Sequence, residues 1–584
     1  MLARRLTGAA LLWLGLAACS AGAPSPGGGA AAGLPAVASP AAYQPRPAPH
    51  RGGTITVGTW QFPSSFSPYF SSQAAATPVQ NALFDGLLAT DQKLQWYGDL
   101  AGDVPTVENG GVRQVGAGMD VTYQLRPGLR WSDGQPLTSD DAVFTYRTIT
   151  GPAAATGFGQ DGYDRISGVE AREEGGFVVH FRTLYPAYRS LFPAILPRHR
   201  LGQVSAAQLV QDGYWRKPDV ASGPFTLVQA GEDRLTLTRN EQYGQGRQGM
   251  ALLGHTAYAD RIVFRAYPTR QALLAAAKAG DVQAASDLSE RELTTVARLT
   301  GVRVTLASAL QYEQVSFNQA PVDSSVGGPP PWAGDPAVLQ ALDLALDRPA
   351  LEGGPLHNRS PLAGSPVSPL LDWAYASDVG ATRYDLEAAR RTLDADGWTA
   401  GADGIRTKNG RQLAFALTST QDQLLRTNEE EILAAGWRKL GVAVSVQNYS
   451  SQALFADFAH DGVLARGLYQ AAIWAWITPP DPDSEFDTLH SSRMPAAGST
   501  SGQNYSRCRS SAVDQALAQG RSTLVTSQRA TAYRAFQHAY ADAHCEMPLY
   551  RRLAIGVTSP RLQNFVLNPG PAGSTWNLAD WWLA

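Results

Sequence analysis

The chain is poor in residues that carry chemistry. Among 584 residues there are three cysteines, five methionines and nine histidines. No histidine pair stands as H-E-x-x-H, which excludes the helix of a zinc protease, and no Walker loop cradles a phosphate. Gly498-Ser499-Thr500-Ser501-Gly502 places threonine where a nucleophile elbow needs serine. Charged residues make up 17% and the net charge is −3, so there is no basic footprint for nucleic acid. The apolar run Ala9 to Ala18 is too short to span a bilayer. No internal repeat is visible. These absences lead us to expect no metal, no cofactor and no turnover.

What is present is a normal globular balance, 44% hydrophobic with 14 tryptophans, over a length suited to two to four domains. The start reads as targeting: Arg4 and Arg5, the apolar run, then Leu16-Ala17-Ala18-Cys19. That ending resembles a bacterial lipobox, which makes Cys19 the expected lipidated residue and 1–19 the signal peptide. Residues 20–51 are rich in Ala, Gly, Pro and Ser and are expected to form a disordered tether.

The stretch Val121 to Arg147 is the most informative. Val121, Tyr123 and Leu125 alternate with polar residues as in a strand. Pro127-Gly128 suits a type II turn, Leu129 and Trp131 a short returning strand, and Ser132-Asp133-Gly134 a second turn. Thr138 can cap a helix, with Asp141 three residues on and Ala142, Val143, Phe144 and Tyr146 on its buried side. Further on, Asp385 caps a helix lined by Leu386, Ala389 and Leu393 and stopped by Gly397. A later helix is expected over Glu429 to Leu440. Strands alternating with helices, as from Asp260 to Ala284, suggest helices packed on a sheet.

The order LRPGLRWSDGQPLTSDDAVFTY closely resembles the signature of the family 5 extracellular solute-binding proteins, the peptide- and nickel-type receptors of bacterial ABC importers. RYDLEAARRTLDADGW, ASGPFTL and MPLY resemble further family segments in the right order, so that the likeness covers about residues 52 to 584. It implies an α/β, two-lobe fold of the Venus flytrap kind: lobe one over 52–310 with a subdomain near 86–210, lobe two over 311–548, and a return segment over 549–584. It further implies a monomeric receptor, exported and lipid-anchored to the cell envelope (periplasmic or at the outer face of the cytoplasmic membrane), that passes an oligopeptide or similar solute to membrane permease subunits. An exported hydrolase of oligosaccharides or peptides, and a sensory receptor of the same fold, are the alternatives.

Trp60, Phe62, Asn318, Trp474, Trp476, Thr478 and Asp481 are the expected ligand-binding residues. In peptide-binding relatives the run matching Ile473 to Asp483 carries an Asp that holds the ligand's α-ammonium; here that place is Thr478. A neutral hydroxyl supplies no buried counter-charge. The resemblance therefore points to a modified or longer peptide, an oligosaccharide or a metal chelate, unless Asp481 or Asp483 takes over the role. The alternating acids Asp481, Asp483, Glu485 and Asp487 lack the glycine of a calcium loop. Gly244 to Gly249 is formally G-x-G-x-x-G but opens no helix, so we read it as a loop. Cys508 and Cys545 are candidates for a disulfide, with free buried thiols as the alternative.

Overall fold

The computed structural model describes residues 33–70, 74–151, 162–209, 212–244, 256–286, 288–320, 329–421, 423–497 and 502–584. The signal peptide with Cys19, most of the Gly244 loop and most of the Gly498 run lie outside them.

Two long strands organise the fold. Arg303–Phe317 runs from lobe one into lobe two, and Glu546–Thr558 runs back antiparallel to it. They lie in the middle of an eleven-stranded sheet that both lobes share. Their register breaks between Ser308 and Tyr312 and again between Glu313 and Gln314. Such irregularities bend a strand and raise its twist, and here they fall where the chain passes between the lobes.

Pairing direction orients the rest. Ala284–Ala285 is antiparallel to the returning strand and so points toward lobe two; Thr54–Thr59 lies parallel to Ala284–Ala285, and Arg261–Ala266 parallel to Thr54–Thr59. In lobe two, Ala471–Ile477 is antiparallel to the outgoing strand and so points toward lobe one, with Ala414–Thr418 and Ala443–Val446 running the same way. The C-terminal ends of both sets of parallel strands face each other.

A four-stranded antiparallel sheet (112–115, 118–124, 176–181, 166–171) forms a subdomain on lobe one and shares its core. Beyond the strand 118–124 the chain turns at Pro127-Gly128, with Gly128 at φ +77°. The expected strand at Leu129 to Trp131 is only a single bridge, Arg130 to Pro136. The helix that follows, Ser139–Thr150, opens on a capping box between Thr138 and Asp141. Its buried face is Asp141, Ala142, Thr145 and Ile149 rather than Val143, Phe144 and Tyr146, which are half-buried. The reason is Asp141: its carboxylate also accepts the Trp131 indole N–H and the Arg198 backbone N–H, which turns that edge inward. Lobe two packs Pro336–Leu344, Leu386–Ala395 and Leu424–Lys439 on its end of the sheet. The last helix starts five residues before Glu429, because Leu425 and Arg426 are held by buried contacts.

The expected tether is corrected for residues 33–51. Leu34 is buried among Val296, Leu306 and Leu553, and Val37–Ala38 adds a parallel strand against Leu306 and Ala307. Tyr43 lies edge-on to Trp576 and donates its hydroxyl to Asp580 at 2.6 Å. Gly33, at φ +136°, passes so close to Ala297 that a Cβ would sit 2.6 Å from that carbonyl oxygen. A few apolar residues suffice to dock a segment onto an edge that the body has already built.

Candidate functional site

In open α/β sheets ligands bind beyond the C-terminal ends of the strands. Here those ends face each other across the hinge, which places the candidate site in the cleft between the lobes.

The lobe-two wall is the strand Ala471–Ile477 and the loop after it. Ala471 and Ile473 face the main core of lobe two, whereas Ala472 and Trp474 face a smaller core with Leu454, Leu464 and Tyr469. Trp474 is 1% exposed and belongs to that core, which corrects its expected place on the cleft surface. Trp476, one turn of the pleat nearer the cleft, is half-buried and stacked on Tyr505. Thr478 is buried; its hydroxyl and its backbone N–H both donate to the Leu310 carbonyl at 2.8 Å. Asp481 receives a two-pronged guanidinium from Arg529, at 2.6 and 3.1 Å. Asp483 is held in the same way by Arg521, at 2.7 and 3.0 Å. Asp487 pairs with Arg493 at 2.5 Å. Burial pushes the Glu485 carboxyl up to about 7, with a Thr488 hydrogen bond opposing. Among the described residues no group of His, Cys, Asp and Glu could hold a metal ion.

Across the cleft, Trp60 directly follows the lobe-one strand Thr54–Thr59. It is half-buried, with the Arg270 guanidinium 4.5 Å from its ring centre. Phe62 packs on the lobe-one core. Asn318 is corrected to a structural residue: it is 0% exposed, its amide donates to Gly467 and Tyr469, and its side-chain oxygen accepts the Ala320 N–H.

The floor of the cleft is a run of charges that the sequence did not reveal. Glu313, 0% exposed and next to the register break, accepts Arg426 Nε at 2.8 Å and Arg552 Nη1 at 2.9 Å. Arg552 Nε reaches Glu290 at 2.9 Å. Glu290 belongs to lobe one, Glu313 and Arg552 to the hinge strands, and Arg426 to a lobe-two helix. Burial, and then the neighbouring Glu313, hold the Glu429 carboxyl far above the usual range; it accepts the Tyr550 hydroxyl.

The model of the bacterial extracellular solute-binding proteins, family 5, matches residues 113–495. The chain belongs to this family. The oligopeptide-binding protein AppA of Bacillus subtilis is 25% identical over 92% of each chain. Protein XP55 of Streptomyces lividans is 28% identical over 87% of this chain and 85% of that one. The structure of Bacillus subtilis AppA with a nonapeptide covers 92% of this chain and all of that one, at a TM-score of 0.72 and 24% identity. NikZ from Campylobacter jejuni, solved with Ni(L-His), covers 90% of this chain and 99% of that one at 0.71 and 21%. The fold of this solute-binding protein is therefore the two-lobe fold of those receptors. Among its described residues no helix is long and apolar enough to cross a membrane.

Cys508 and Cys545 are joined in a disulfide, with Cα atoms 5.7 Å apart. It closes the helical hairpin Ser511–Arg521 and Thr526–Ala543 beside the arginines that hold Asp481 and Asp483. Arg521 and Arg529 lie on that hairpin, 38 and 48 residues from their partners. The partners of the cleft acids, like Glu290 and Arg426 at its floor, come together only through the fold, so local spacing gave no signal for them.

Proposed function

We propose that this solute-binding protein captures a peptide-like solute between its lobes, closes on it, and presents the closed form to the permease of an ABC importer. The observation that carries this reading is the convergence of both sets of strand ends on a two-strand hinge. A ligand touching both walls favours the closed form by contacts made only there. The run Glu290–Arg552–Glu313–Arg426 crosses the pivot, and its buried members tolerate only arrangements that keep them paired. The absence of turnover is part of the proposal. The acids that a hydrolase would need along this wall are engaged: Asp481 and Asp483 by arginines, Glu485 by burial.

The same pairs bear on specificity. With Thr478 donating to the backbone and Asp481 and Asp483 neutralised, the lobe-two loop offers no open carboxylate to an α-ammonium. Leaving a buried ammonium unpaired costs several kcal/mol. We therefore propose a ligand whose binding does not depend on a free amino terminus: a longer or N-blocked peptide first. Calorimetry with matched free and N-acetylated hexapeptides tests this. Equal or better affinity for the acetylated form is expected. A preference for the free amine of tenfold or more contradicts the reading.

A further inference from the structure

Trp476 and Tyr505 lie face to face, ring centres 5.9 Å apart and 9° between planes. Trp474 meets both edge-on from below, at 6.1 and 6.2 Å. With the Gln314 amide oriented to satisfy both neighbours, the Trp476 indole N–H donates to its oxygen at 3.0 Å and its nitrogen donates to Glu546 at 3.0 Å. Ser316 donates to the same carboxyl at 3.5 Å and lies 3.3 Å from the Tyr469 hydroxyl. That hydroxyl donates to the Tyr505 carbonyl at 2.9 Å. The contacts leave Trp476, cross the buried ends of both hinge strands, and return to the backbone of the residue whose ring is stacked on it. The Trp476 ring cannot turn without breaking a buried polar contact, and the backbone that carries the Tyr505 ring is tied to the same network, so the stack is built before any ligand arrives. A rigid group of this kind avoids the ordering cost that flexible contacts incur on binding.

The stack stands at the cleft end of its strand, followed by Ile477, which is 57% exposed. We propose that the Trp476–Tyr505 stack is a ring-binding platform that selects peptides carrying an aromatic or prolyl side chain, with Gln314 as the residue that positions it. The proposal rests on the peptide reading above. An apolar ring fits better than a sugar because the polar groups at the platform's edge are spent: the Trp476 N–H on Gln314, the Thr478 hydroxyl on Leu310, and Asp481 and Asp483 on arginines. Sugar hydroxyls brought there would lose water without gaining partners.

The test is capture of a pooled random hexapeptide library by the immobilised protein, read by mass spectrometry. Ring-bearing residues should be enriched about tenfold in the captured pool, the factor that a stacking contact of ordinary strength gives. Trp476→Ala should lose the enrichment. Gln314→Leu should lower it by a larger factor than it lowers capture of ring-free peptides, a split that simple loss of folding does not produce. Capture without ring enrichment, or enrichment that survives Trp476→Ala, overturns the platform and leaves the peptide reading standing. No capture of any peptide, with binding of an oligosaccharide mixture instead, overturns both.

Discussion

At the scale of single residues, the cleft is defined by which polar groups are already committed. Glu546 shows this most clearly. Burial first, and then the neighbouring Glu485, raise its carboxyl from the ordinary 4.5 to about 8. An acid raised on folding binds its proton more tightly in the native state. Its stabilising contribution is whole below about pH 4.5, declines as pH rises toward 8, and is gone above that. The loss is on the order of a few kcal/mol. Denaturation midpoints of the parent should therefore fall from pH 5 to pH 9, and Glu546→Gln, which cannot ionise, should show a distinctly smaller fall. An unchanged pH slope in the variant would remove Glu546 from this role. Its place was not legible in the sequence: Glu546 meets Gln314 only because two strands separated by more than two hundred residues pair. Thr478, by contrast, was legible as a neutral residue, but its donation to Leu310 was not, since that carbonyl is exposed to it by the register break.

At the scale of elements, local chemistry was read well wherever turns and caps decide it. The Pro127-Gly128 turn, the Thr138 capping box and the Asp385 cap stand where their residue types require. The N-terminal segment was misread because composition asks whether a segment can fold alone, not whether it can finish an existing edge. Leu34, Val37 and Tyr43 do the latter. Leu34→Ala should cost about 2 kcal/mol, and amides near Val37 should exchange more slowly than a free peptide. Exchange at the free rate over 34–46 would restore the tether to its full length. The lipid anchor that we propose is upstream in the sequence, at Cys19. A diacylated cysteine supplies two chains, enough for stable anchoring. Cys19→Ala should leave the membrane fraction; continued membrane association of that variant would refute the anchor.

At the scale of the whole molecule, strand direction sets the architecture. Antiparallel hinge strands make the parallel strands of each lobe point at the other lobe, and a run of charges that crosses the pivot is paired in a row. The disulfide stiffens the lobe-two wall by closing a loop of 37 residues, worth about 4 kcal/mol in the chain-entropy account. The architecture was legible because turn and cap motifs recur in the family's order over some 500 residues. The cleft's charge pairing was not, because each pair joins distant elements. The central claim is that this molecule closes on a solute and leaves it intact. The measurement that tests it most directly is small-angle scattering of the protein alone and with a saturating tryptic digest of casein, followed by mass spectrometry of the digest. Closure predicts a smaller radius of gyration with the digest present and an unaltered set of peptides. Peptide binding without compaction, or peptides shortened on incubation, would contradict it.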